Sequence, residues 1–296
     1  MGDSWKLTVA YDGTNFFGSQ RQSGRRSVQE ELERSLKLLA GGDVASVFAG
    51  RTDRGVHAVG QVVSLNAIRP GMSGTAFVDA VNAHLPDDVS VVRAERIVGG
   101  LHARYDATWR EYRYRVWIGP GQPLSRKMLW VRRSPLDLLA MQDASARFCG
   151  THDVASFASG GEGVPGSERS QRPRGTVRTI THCSVAIVQP DWGITPGTGT
   201  AIEIRVVADG FLPRMVRSMV GALVEIGTHR HDPVWIDELL AARDRRVGPG
   251  TAPPHGLVLW RVGYGNDVPD PEPGPFGTLT SSADRSITGE QPAPER

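Results

Sequence analysis

Gly50-Arg51-Thr52-Asp53-Arg54-Gly55 sets one carboxylate between two guanidinium groups, with a glycine at either end. Cations near a carboxylate favour its ionised form, which is the nucleophilic form. The glycines permit tight turns, so the segment reads as a loop. Two readings of it stand: a nucleophile held between cations, or a hairpin connection whose Arg and Asp make surface ion pairs. His57 and His102 are the nearest candidate bases, but neither is paired with an orienting carboxylate in sequence, and both read as structural. His229-Arg230-His231 reads as a polar helix end. The chain has no Cys/His spacing that suits a metal and no Gly-Lys-Ser/Thr phosphate loop.

The elements that must position Asp53 follow from periodicity. Lys6 to Tyr11 reads as a strand. Ser27-Val28-Gln29-Glu30 is a capping box, Val28, Leu32, Leu36 and Leu39 follow at helical spacing, and Gly41-Gly42 stops the helix. Ala45 to Ala49 and Gln61 to Leu65 are strand-like and flank the Asp53 loop. A helix over Thr75 to His84 and a strand over Val89 to Arg93 complete a β-α-β-β-α-β order. That order then repeats. Glu111 to Trp117 alternates as strands do. Ser134-Pro135 opens a helix that Gly150 closes, and strands span Thr181 to Val188 and Ile202 to Val207. A helix covers Phe211 to Ile226, Asp232-Pro233 opens a shorter one, and Leu257 to Val262 is the last strand. Two such units predict an α+β fold of two ferredoxin-like halves with joined antiparallel sheets and a central cleft. The expected boundaries are residues 1–105, residues 106–265, and a Pro/Gly-rich tail at 266–296 too poor in large apolar residues to order itself. Residues 159–175 read as an irregular loop.

The 296 residues carry a formal charge of +2, unevenly spread. The tail from Asn266 holds six acids and two arginines, which leaves +6 on residues 1–265. A basic body suits a polyanionic partner. Arg21, Arg25, Arg26, Arg169, Arg172 and Arg174 are candidates for phosphate contact. Two distant cysteines, Cys149 and Cys183, make no disulfide framework. No run resembles a signal peptide or a membrane span, so the expected location is the cytoplasm.

The loop Gly50 to Ala58 resembles the signature of the tRNA pseudouridine synthase A family. Further blocks resemble that family in order and spacing. They are Tyr11 to Gly18, Gln20-Arg21-Gln22, Ser27 to Glu30, Val81 to Pro86, His102 to Ala107, Arg110-Glu111-Tyr112-Arg113-Tyr114, and Phe211 to Gly221. Together they run from about residue 5 to residue 264.

The resemblance implies the pseudouridine synthase fold and isomerisation of uridine at positions 38 to 40 of the tRNA anticodon arm, by a homodimer without a cofactor. It implies Asp53 as nucleophile, Tyr112 against the target base, Arg217 paired with Asp53, and Arg51 holding the flipped nucleotide. Ser19 stands where the family often has Trp, Arg54 where a smaller residue is common, and Pro213-Arg214 where a His or basic pair is more usual. These departures bear on tRNA contacts rather than on chemistry. Beside this reading stand a non-catalytic RNA-binding protein on the same scaffold, a synthase acting on another RNA, and a structural or scaffolding protein, which would explain the tail but not the motifs.

Overall fold

The first half of the chain alternates apolar and polar residues in strands and carries apolar stripes on its helices. It folds as β1 (Ser4–Tyr11), α1 (Val28–Ala40), β2 (Val47–Phe48), β3 (His57–Asn66), α2 (Gly74–Asn82) and β4 (Val89–Ile97). This is a computed structural model, and it describes residues 4–66, 68, 71–159, 175–189 and 197–269. The expectations for the tail beyond residue 269, and for nearly all of the 159–175 loop with Arg169, Arg172 and Arg174, lie outside the described residues. The second half gives β5 (Ala107–Ile118), β6 (Trp130–Arg132), α3 (Leu138–Ala146), β7 (Gly150–Asp153), β8 (Val177–Val188), β9 (Thr200–Ala208), α4 (Met215–Gly227), α5 (Trp235–Ala242) and β10 (Leu257–Tyr264).

All ten strands share one sheet, ordered β4-β1-β3-β10-β5-β9-β8-β7, with β2 paired to β3 and β6 to β5. Each half repeats the same internal order. The run β10-β5-β9-β8 of the second half repeats the β4-β1-β3-β2 run of the first, with β6 and β7 added at its edges. The halves meet where β10 lies parallel to β3 through Val258↔His57 and Leu259↔Ala58. Most other pairings are antiparallel, and β5–β6 is the second parallel one. The joint between halves is therefore a short parallel seam, directly after the Asp53 loop.

Local chemistry explains the element ends. Ser27 accepts a hydrogen bond from the backbone N–H of Glu30, and Gly41 closes α1 in the left-handed conformation at φ 73°. Three expectations shift. Ser134-Pro135 does not start α3, because Asp137 is the cap, its side chain accepting from the Ala140 N–H at 3.0 Å. Gly150, at φ 124°, opens β7 instead of closing that helix. α4 begins at Met215, four residues later than its apolar stripe suggests, and Phe211 and Leu212 face a cleft.

Alternation on β5 and β9 gives the sheet two different faces. Tyr112, Tyr114, Val116, Ile202, Ile204 and Val206 join one apolar cluster that runs through both halves. Opposite them, Glu111, Arg113, Arg115, Glu203 and Arg205 form a buried ion network. Arg205 grips both Glu111 oxygens, at 3.0 and 3.2 Å. The Trp260 ring lies 4.1 Å from the Arg113 guanidinium.

Candidate active site

The loop between β2 and β3 is held from beneath by buried side chains of the first half. The Thr52 N–H donates to Ser19 Oγ at 2.9 Å, and the Ser19 N–H donates to the Thr52 carbonyl at 3.1 Å. Tyr11 Oη and Thr52 Oγ1 share a hydrogen bond of 2.9 Å. Gln61 Nε2 donates to the Gly50 carbonyl at 2.8 Å. Gly18, at φ 109°, allows this approach: a Cβ there would lie 2.7 Å from the Thr52 carbonyl oxygen. Gly55 turns the loop into β3 at φ 78°.

The second half supplies a further clamp. Arg110, on β5, donates to the carbonyls of Ala49 (3.1 Å), Arg104 (2.7 Å) and Asp209 (3.0 Å). It thereby ties the start of the loop to the end of β9.

On its outer side the loop presents Asp53 to a cavity of about 710 Å³. Arg217, in the first turn of α4, reaches Asp53 Oδ2 with Nη1 at 3.2 Å and donates from Nε to the Ala252 carbonyl at 2.7 Å. Anchored at two points, the guanidinium aims the carboxylate as well as pairing with it. Tyr112 rises from β5 into the same cavity, its ring edge-on to Phe211 at 5.0 Å. Burial pushes its phenol above the ordinary tyrosine value; Tyr11 and Asp53 push the same way, and Arg110 opposes them. Tyr11 is likewise raised by burial, to about 12, so both rings stay neutral at physiological pH. Arg51 lines the cavity, is exposed, and has no hydrogen-bond or ion-pair partner among the described residues. Arg214 also lines it, and its backbone is left-handed at φ 61°, a strained conformation for a non-glycine residue.

All four residues singled out from sequence, Asp53, Tyr112, Arg51 and Arg217, line this one cavity although they are spread over 167 positions of the chain. His57 is a strut: its Nδ1 accepts from the Gly13 N–H at 3.0 Å, which leaves Nε2 to donate to the Lys127 carbonyl at 2.8 Å. His102 stacks on Tyr105 at 4.2 Å. Arg21 pairs with Glu33, and Arg26 pairs with Glu31 and grips Asp88 at 2.8 and 2.9 Å. Ser19, read as a position bearing on tRNA contacts, is instead fully buried and supports the loop. Gln61 was missed as well, although one polar residue heading the apolar run to Leu65 was its signal. Among the described residues no group of three or more His, Cys, Asp or Glu could hold a metal ion.

A sheet built of two ferredoxin-like halves, with a guanidinium-paired aspartate over a buried tyrosine, points to the pseudouridine synthases as a class. The family model described as "tRNA pseudouridine synthase" matches residues 7–106 and 144–265, and the chain belongs to that family. A "tRNA pseudouridine synthase A" of Shouchella clausii is 40% identical over 262 residues, covering 88% of this chain and 93% of its own. Its namesake from an Exiguobacterium species is 40% identical over 259 residues, covering 88% and 97%. The one from Bacillus licheniformis is 37% identical over 265 residues, covering 88% and 99%.

Proposed function

We propose that this enzyme isomerises uridine to pseudouridine in the tRNA anticodon arm, at positions 38 to 40, with Asp53 as nucleophile. The observation that carries this is the Asp53–Arg217 pair, 3.2 Å apart, beside Tyr112 in an arginine-lined cavity. The target uridine leaves its stack at a cost of about a few kcal/mol. Stacking on an aromatic face such as Tyr112 offsets roughly 1–3 kcal/mol of that. Arg51, free at the rim, contacts the flipped nucleotide's phosphate. The Asp53 carboxylate then adds to C6 of the base or attacks C1′ of the ribose. The N1–C1′ bond breaks, the uracil turns, C5 bonds to C1′, and the bond to the Asp53 carboxylate breaks to free the enzyme. The C5 proton leaves and N1 takes one up, so the reaction is an isomerisation with no net gain or loss of atoms or electrons.

The same reading gives the chain two halves, residues 1–105 and 106–265, and places it in the cytoplasm as a homodimer whose two chains build each tRNA site. No helix among the described residues is long and apolar enough to cross a membrane. A monomeric mass at working concentration would count against the dimer.

The test is an unmodified tRNA transcript incubated with the wild-type protein and with Asp53→Ala, followed by mapping of pseudouridine at each position. Anticodon-arm pseudouridine with the wild type alone supports the reading. None with either protein, despite tight tRNA binding, overturns it.

A further inference from the structure

On the far side of the Asp53 loop lies a second cavity of about 450 Å³, and its walls are cationic. Arg54, Arg126 and Lys127 line it with His255 and Thr14, and no carboxylate among the described residues lines it. Arg54 directly follows Asp53 and borders both cavities, so the two are contiguous around one loop. Its guanidinium is steadied over the Phe17 ring at 4.3 Å.

The walls are fixed in place. Through its bonds to the Gly13 N–H and the Lys127 carbonyl, the buried His57 ring joins the Gly13–Thr14 turn to the segment carrying Arg126 and Lys127. Asp12 accepts from the Thr14 N–H at 2.9 Å and so closes that turn, and its carboxylate lies within electrostatic reach of Lys127. Arg126 donates to the Pro123 carbonyl at 2.6 Å. Gly55 packs on Pro254 so closely that a Cβ would lie 3.0 Å from Pro254 Cγ, which joins the loop to the wall bearing His255. Arg54 and Arg126 are held by these contacts, Lys127 is an exposed cation on the backbone that His57 fixes, and together they give the cavity a concave cationic wall.

We propose that this second cavity binds a backbone phosphodiester of the RNA strand flanking the target nucleotide. The inference rests on the reading of the chain as an RNA-modifying enzyme and adds a subsite to it. The volume admits a phosphate with its ribose, and the shared Arg54 sets that phosphate next to the nucleotide facing Asp53. Phosphate contacts of this kind fix register on the RNA and carry no base information.

The test measures binding of the unmodified tRNA transcript by the full chain over a series of KCl concentrations. Wild type is compared with Arg126→Gln/Lys127→Gln, and with Arg246→Gln as a distant control. The expected result is a roughly tenfold weaker Kd at low salt for the double variant, with the slope of log K against log salt shallower by about one. The control should match the wild type. Unchanged Kd and slope in the double variant overturn the inference. So does loss of inorganic phosphate binding with an unchanged RNA slope, which marks a site for free anions only. Because binding is read apart from turnover, a wild type that makes no pseudouridine defeats the proposed reaction and leaves this result to stand or fall alone.

Discussion

Ser19 and Thr52 pair in both directions, side chain to backbone at 2.9 Å and backbone to backbone at 3.1 Å, one residue before the proposed nucleophile. Ser19→Ala would leave the buried Thr52 N–H without its acceptor, at about 1–3 kcal/mol. Urea unfolding should show that loss, and kcat on tRNA should fall with it because Asp53 loses its support. A variant as stable and as active as wild type would contradict this role for Ser19.

Arg217 holds Asp53 with one nitrogen and the Ala252 carbonyl with another. Lysine keeps the charge but has no planar fork to span both. Arg217→Lys should therefore fold normally and lose on the order of 10²-fold in single-turnover rate, in line with removal of one preorganised charge-stabilising donor. A rate within threefold of wild type would show that charge alone suffices.

How much of this was legible follows from where each signal sits. The Ser27–Glu30 capping box and the left-handed Gly41 lie in contiguous sequence, and α1 begins and ends where they indicate. α3 did not, because a competing cap, Asp137, stands three residues beyond Ser134 and its N–H is also bonded to the Gly227 carbonyl at 2.8 Å. β6 and β7 are three and four residues long, too short for a period to register. Asp53, Tyr112, Arg51 and Arg217 stand out in sequence because the motifs that carry the family resemblance are local, and the fold brings all four to one cavity. Ser19, Gln61 and the clamping role of Arg110 do not stand out, since each acts on a loop distant in sequence and only the fold brings them together.

Burial lowers the affinity of His57 and His255 for a proton; for His57 it outweighs the attraction of Asp12. Above a pH of about 6.5 these rings are neutral in both folded and unfolded chains and contribute no pH dependence. As pH falls below that value the unfolded chain takes up the protons first, so stability must drop. Asp12, whose carboxyl is lowered from its ordinary value, adds to the loss only in more acid solution. Denaturant unfolding at pH 7.5, 6.5 and 5.5 should show a decline that is smaller in His57→Gln. A flat wild-type profile would contradict the buried neutral state.

The Glu111–Arg205 pair lies almost out of solvent, with side-chain exposures of 2% and 5%. Breaking one side of such a pair costs about 3–5 kcal/mol, because the remaining charge stays buried. Here Arg113 still reaches Glu111 at 2.8 Å, so Arg205→Met should fall at the low end. Glu111→Gln, which removes the one carboxylate that Arg113 and Arg205 share, should be worse. The expected drop in Tm is on the order of 6–12 °C for a 3 kcal/mol loss, read by thermal unfolding of both variants. Equal Tm values for the two variants and the wild type would show the network to be energetically neutral.

The strand that seals the seam beside the Asp53 loop is β10, residues Leu257–Tyr264, the last strand of the sheet along the chain. In the sheet order β3 and β5 do not pair with each other, and β10 between them is the strand that makes the two halves one sheet. A single eight-residue strand is thus the hydrogen-bonded hinge pin between the sheet that carries Asp53 and the sheet that carries Tyr112.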